Sequence, residues 1–232
     1  MTKRWVAMLS IVALQLFVSA CAKRDGASVV LTESSLNKTN PTAAVTHSSE
    51  VKKDHLIPAE VTMDNIQDTA KQLGITNEML IKSIVSKGNS VRVANVIRKG
   101  MRAEDITIGV IGGSVTAGTA STRGNAYANV IQEWLKSTFP ESRINLINAG
   151  KGATNSMVGV HRIQPDLLSR KPDLVVVEYA VNDGSNTDIQ EAYENIIRRV
   201  LKSGAAVILL FINREHGESV QDTQEKIGKH YD

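Results

Sequence analysis

The chain has 232 residues, 42% hydrophobic and 22% charged, which suits one globular domain with a sizeable core plus additional segments. Aromatic residues are only 4%, so no stacking platform for bases or sugars is evident, and the formal net charge of +3 falls to +1 once the two charges of Lys3 and Arg4 are set aside with a leader, which gives no support for nucleic-acid binding. A single cysteine excludes an internal disulfide framework.

The N-terminal residues read as a targeting segment. Thr2-Lys3-Arg4 is a basic start, Trp5 to Phe17 is apolar but shorter than the roughly 20 residues of a bilayer span, and Val18-Ser19-Ala20 are small. Residues 1–20 therefore have the shape of a secretory signal peptide. Val18-Ser19-Ala20-Cys21 also resembles the lipobox of bacterial lipoproteins. That resemblance implies a lipidated Cys21 as the new N-terminus, and an exported protein anchored to a bacterial membrane surface without spanning it. An ordinary signal peptide with an incidental cysteine is the alternative. Residues 21–60 hold the modified cysteine and a stretch rich in Ser, Thr, Asn and Ala, with Pro41 and no sustained period, which reads as a flexible tether. His47 and His55 fall in it and read as solvated.

The domain is expected over residues 61–232. Helices are predicted at Asp64–Leu73 and Asn77–Lys87, and a third from Val91 to Lys99 with Gly100 as its stop. Ile106–Ile111 reads as a buried strand, being short, bounded by glycine and β-branched at Ile106, Ile108, Val110 and Ile111. Tyr127, Val130, Ile131, Trp134 and Leu135 recur at helical spacing up to Pro140, with Trp134 as a core anchor. Arg143–Asn148 is a second strand. A helical segment around Val158–Ser169 is interrupted at Pro165. Leu174–Tyr179 is a third strand, and Ile189 to Leu201 an amphipathic helix stopped by Gly204. Ala206–Ile212 is a fourth strand, and Val220–Tyr231 a last helix. Strands alternating with helices predict an α/β fold: a parallel sheet in a three-layer α/β/α arrangement, flavodoxin-like. In such sheets ligands bind beyond the C-terminal ends of the strands.

Three loops leave strands at that rim. After the first strand come Gly112-Gly113-Ser114-Val115-Thr116-Ala117-Gly118. The glycines permit a sharp exit and leave Ser114 at the rim with small neighbours, as a nucleophile requires. The P-loop spacing is present from Gly113 to Gly118, but Thr119 stands where Lys is needed; Ser114 replaces the second glycine of a dinucleotide fingerprint, and Thr116 the second glycine of the α/β-hydrolase elbow. A nucleotide-binding domain is thereby disfavoured. After the second strand come Asn148-Ala149-Gly150-Lys151-Gly152-Ala153-Thr154, whose small residues let backbone N–H groups approach a substrate. After the third come Glu178-Tyr179-Ala180-Val181-Asn182-Asp183, where Asn182 can aim an amide N–H at the same point. A serine nucleophile needs such donors for the oxyanion formed on attack at an acyl carbon. Each loop also has an ordinary reading: glycines that shape a turn, or an Asn182 that only caps the next helix or forms an Asx-turn.

Taken in order, these loops resemble the blocks of the SGNH hydrolases, the GDSL-like esterase and lipase superfamily, from about Ile106 to the C-terminus. The resemblance implies Ser114 as nucleophile, with an oxyanion hole from the Ser114 N–H, the N–H of Gly152 (or of Ala153, counting from Asn148) and Asn182. Ala180 stands where Gly is commoner. It further implies an ester substrate, such as an O-acetyl or other acyl group on a carbohydrate, with no metal and no cofactor. The family's Asp-x-x-His, which supplies the base, does not occur after Asn182. Asn213-Arg214-Glu215-His216 has the spacing, with Asn for Asp and directly after the fourth strand, so His216 is disfavoured; His161 reads as surface or structural, and His230 as stabilising the end of the last helix. The expectation is a domain whose closing strand and Asp-x-x-His lie beyond residue 232. A catalytically inactive carbohydrate- or acyl-binding domain on the same scaffold is the rival reading.

Overall fold

The four apolar runs become four strands, and the amphipathic stretches between them become helices. A computed structural model describes residues 74–119, 121, 126–213 and 219–231. The expected signal peptide, Cys21, the tether, the helix over 64–73, and His47, His55 and His216 lie outside the described residues. In chain order the elements are α1 (Asn77–Lys82), α2 (Val91–Met101), β1 (Ile106–Gly112), α3 (Ser114–Ala117), α4 (Tyr127–Thr138), β2 (Ile144–Gly150), α5 (Ser156–Asp166), β3 (Leu174–Glu178), α6 (Thr187–Lys202), β4 (Ala206–Leu209) and α7 (Gln221–His230).

The strands form one parallel sheet in the order β2-β1-β3-β4. Successive strand residues point to opposite faces, and both faces are covered. Ile106, Ile108 and Val110 of β1, with Leu174 and Val176 of β3, pack against Val96 and Ile97 of α2 and Ile131, Trp134 and Leu135 of α4. Ile111, Val175 and Val177 pack on the other side against Ile163 of α5 and Tyr193, Ile196 and Val200 of α6. Ile227 and Tyr231, from α7 and its end, join that second core. The result is the expected three-layer α/β/α fold.

Strand order positions the site. The chain leaves β1 through α4, on one face, to reach β2. It leaves β3 through α6, on the other face, to reach β4. The neighbouring strands β1 and β3 therefore send their exit loops in opposite directions, and a crevice opens between them. Ser114 follows β1 and Asn182 follows β3.

Several boundaries differ from expectation, each for a tertiary reason. The helix from Asn77 ends at Lys82 rather than Lys87. Of its expected apolar face, Ile81, Ile84 and Val85, the one residue within the helix, Ile81, is 65% exposed, so little packing supports further turns. Gly100 does not stop α2, which runs to Met101; it is a buried helix position where an added Cβ would sit 2.5 Å from the Phe139 ring. The helix instead ends as Ala103 takes a φ of 56°. β2 spans Ile144–Gly150 instead of Arg143–Asn148, because its pairing with β1 continues to Gly112↔Gly150. β3 ends at Glu178, since the Tyr179 carbonyl turns to accept the N–H groups of Asn182 and Asp183, each at 2.9 Å. β4 loses its partner there and stops at Leu209, not Ile212. α5 starts at Ser156, carries Pro165 in its last turn and ends at Asp166, ahead of a short 3₁₀ turn at Leu168–Arg170.

Candidate active site

Ser114 opens α3, a single helical turn that Gly118 closes at a φ of 81°. The residue is half-buried, and no described residue hydrogen-bonds its hydroxyl. Gly113 before it has no room for a side chain: an added Cβ would meet Asn182 Oδ1 at 2.2 Å, Cγ at 2.7 Å and Nδ2 at 3.0 Å. The carboxamide of Asn182 thus lies against the backbone that enters Ser114, its oxygen nearest Gly113. Two loops 68 positions apart in sequence meet there because β1 and β3 are neighbours.

Asn182 does not cap α6. That position belongs to Asn186, whose Oδ1 accepts the Ile189 N–H at 3.0 Å. Asn182 Oδ1 is buried without a hydrogen-bond partner among the described residues. None of them accepts a proton from Nδ2.

The β2 exit loop is tied to the same turn. Asn148 Nδ2 donates to the Thr116 carbonyl at 2.9 Å, and Asn148 Oδ1 accepts the Gly150 N–H at 2.8 Å. Gly150 approaches α3 so closely that a Cβ would fall 2.3 Å from the Ala117 nitrogen. Lys151 N–H continues the contact by donating to the Gly112 carbonyl at 3.0 Å. Beyond this point Gly152 faces open space, whereas Ala153 adopts a φ of 56°. Ala153, Thr154, Asn155, Val158 and Asn182 line a depression of about 260 Å³. Of the two candidate donors in this loop, Ala153 therefore shares a wall with Asn182 and Gly152 does not.

A buried polar layer supports these loops. Thr116 Oγ1 donates to Glu178 Oε2 at 3.2 Å and lies 3.0 Å from Tyr127 Oη. A hydroxyl has one proton, so Tyr127 donates to Thr116 and Thr116 to Glu178. Glu178 is fully buried, and its Oε1 has no partner among the described residues. Burial pushes the Glu178 carboxyl up to about 7, against the hydrogen bond from Thr116. Asp183 accepts the Ser156 N–H at 2.8 Å and Gln224 Nε2 at 2.9 Å, which fastens the β3 exit to α5 and α7. Burial raises its carboxyl to about 6 in spite of those bonds. Arg162 of α5 donates to the carbonyls of Ala149 at 2.5 Å and Gly112 at 3.3 Å, and to Tyr179 Oη at 3.3 Å. It thereby gathers the last turns of β1, β2 and β3.

Sequence reasoning did not assign roles to Glu178, Thr116, Gln224 or Arg162. Glu178 had a signal, a charged residue ending the apolar run Leu174 to Val177 one step before the strand exit. Gln224 and Arg162 had none, since their partners are distant in sequence. His161 is exposed on α5, and His230 is exposed at the end of α7, where its ring meets Tyr231 edge-on. Among the described residues no group of three His, Cys, Asp or Glu side chains is placed to hold a metal ion, and no helix is long and apolar enough to cross a membrane.

Comparison with known proteins agrees with this architecture. No curated protein matches the chain. The solved structure of a two-domain esterase (CEX) active on acetylated mannans is similar, with 36% identity and a TM-score of 0.61, over 63% of this chain and 41% of that one. The same esterase co-crystallised with mannopentaose gives 37% identity and a TM-score of 0.58, over 61% of this chain and 40% of that one. The chain thus spans about two fifths of the length of these solved relatives. The model of the GDSL-like lipase/acylhydrolase family matches residues 110–230, from the middle of β1 to the end of α7 and across all three loops. The chain belongs to the GDSL-like lipase/acylhydrolase family.

Proposed function

We propose that this chain carries the nucleophile and oxyanion hole of an SGNH-type serine esterase acting on O-acetyl groups of a carbohydrate. The observation that carries the reading is the Asn182 carboxamide lying across Gly113, next to Ser114. In this reading Ser114 Oγ attacks the acyl carbon and gives up its proton to a base, forming a tetrahedral intermediate. The Ser114 N–H, the Ala153 N–H and Asn182 Nδ2 donate to its oxyanion. Three donors fixed before the reaction need no reorganisation, and losing one typically costs about 10²–10³ in rate. The intermediate expels the sugar alcohol, which takes the proton back from the base. Water then hydrolyses the acyl-serine and restores Ser114.

The acetylated-carbohydrate class rests on the two solved relatives, whose esterase is active on acetylated mannans. The base is expected from an Asp-x-x-His pair downstream of residue 232, in a longer form of the protein. At the other end, the lipobox-like Val18-Ser19-Ala20-Cys21 supports export and lipid anchoring through Cys21 at a bacterial membrane surface.

A second reading, an inactive acyl- or carbohydrate-binding domain, is favoured by one observation: no described residue hydrogen-bonds the Ser114 hydroxyl. Fluorophosphonate labelling separates the two. The chain of 232 residues should label slowly, through oxyanion stabilisation and binding alone. A form extended through the downstream His should label fast and release acetate from acetylated manno-oligosaccharides. Both signals should vanish in Ser114→Ala. An extended form that binds those oligosaccharides yet neither labels nor hydrolyses would establish the binder instead.

A further inference from the structure

We propose that Glu178 is a positioning residue, whose buried carboxyl holds the Ser114 turn and the Asn182 turn in register beneath the candidate site. This rests on the roles given above to Ser114 and Asn182. Glu178 ends β3 directly beside Gly112, the last residue of β1. Its Oε2 accepts from Thr116 Oγ1 at 3.2 Å, and Thr116 belongs to the single turn that starts with Ser114. The Val181 backbone, one residue before Asn182, also hydrogen-bonds the carboxyl. One side chain therefore bridges both loops.

The fit around this bridge is tight. An added Cβ on Gly112 would meet Thr116 Oγ1 at 2.1 Å and the Glu178 carbonyl at 2.4 Å. Tyr127 of α4 closes the far side of Thr116 at 3.0 Å. The rest of β3, Leu174 to Val177, is apolar and buried, so a fifth apolar residue would fill this position without the cost of desolvating a carboxyl. Glu178 is buried all the same, with one oxygen unpartnered among the described residues. A break with local packing rules is expected where it serves a site.

Other titratable groups face this carboxyl. Tyr127 comes from α4, Tyr179 and Asp183 from the β3 exit, and Tyr193 from α6, while Arg162 of α5 hydrogen-bonds Tyr179 and the carbonyl of Gly112, the strand neighbour of Glu178. Thr116 is its contact on α3.

The test follows the Ser114 backbone amide and the Asn182 side-chain amide by NMR in the full chain, from pH 5 to pH 9. In the wild type both resonances should move together with one midpoint. In Glu178→Gln, which keeps the acceptor for Thr116 and cannot ionise, that shared midpoint should vanish and both resonances should stay near their low-pH wild-type positions. In Glu178→Leu both should be displaced at every pH. The proposal is overturned if Glu178→Gln retains the shared midpoint, which then belongs to Asp183, or if the two resonances titrate independently in the wild type. Should Glu178→Leu not fold, Glu178→Gln decides alone. Fluorophosphonate labelling of the wild type is scored separately: an unreactive Ser114 would count against the esterase reading while leaving the coupled resonances intact.

Discussion

Replacing Glu178 by Gln should stabilise this protein at neutral and alkaline pH, and the size of the gain follows from the burial of one carboxyl. Its ordinary value is 4.5, and burial raises it to about 7 in the fold. Below pH 4.5 the group is neutral in both the folded and the unfolded chain, so it contributes no pH dependence. Between pH 4.5 and about 7 the unfolded chain releases the proton while the folded chain keeps it, and stability falls as pH rises. Above about 7 both states are ionised and the loss is complete. At 1.36 kcal/mol per pH unit the whole loss is about 3 kcal/mol. Asp183, raised from 3.8 to about 6, adds its own fall over a lower window, so the slope between pH 6 and 7 belongs chiefly to Glu178. Gln preserves the size and the acceptor for Thr116 and removes the ionisation. Urea unfolding at a series of pH values should show the variant gaining about 3 kcal/mol on the wild type between pH 4.5 and pH 8, with most of the slope above pH 6 gone. Parallel stability curves for the two proteins would refute the buried-carboxyl argument.

Three further outcomes are expected. Gly113→Ala places a Cβ 2.2 Å from Asn182 Oδ1; a side-chain amide can swing aside, so the fold should survive while Ser114 labelling drops by about 10²–10³, measured as the rate of fluorophosphonate incorporation. Gly150→Ala puts a Cβ 2.3 Å from the Ala117 nitrogen; backbone cannot swing aside, so the cost should appear in stability, about 3 kcal/mol by urea unfolding, and an unchanged midpoint would disprove the close approach. Radiolabelled palmitate fed to a bacterial host should be incorporated into the protein and lost in Cys21→Ser; incorporation that survives the substitution would disprove anchoring through that cysteine.

The amino-acid sequence alone determined the layered class of this protein, since periodicity is a local property. Ile106 to Ile111 is β-branched apart from Gly109, Leu174 to Val177 is aliphatic throughout, and both end at abrupt polar or glycine exits, which marks buried parallel strands whatever their neighbours are. The same local logic singled out Gly113-Ser114 and Asn182 as strand-exit residues, and their motifs carried the family resemblance. What it could not supply was adjacency. Only the strand order placed β1 beside β3, and only that contact set the Asn182 carboxamide on Gly113 and left the helix cap to Asn186. The left-handed turn in the β2 exit loop also came only with the backbone, because it falls on Ala153, a residue type that does not advertise it. Gly100 read as a helix stop because a missing side chain looks the same whether it frees a turn or admits the Phe139 ring. Glu178 reaches Thr116, Gln224 reaches Asp183 and Arg162 reaches Gly112 across 62, 41 and 50 positions, and that distance is bridged by packing, which no window of neighbouring residues contains.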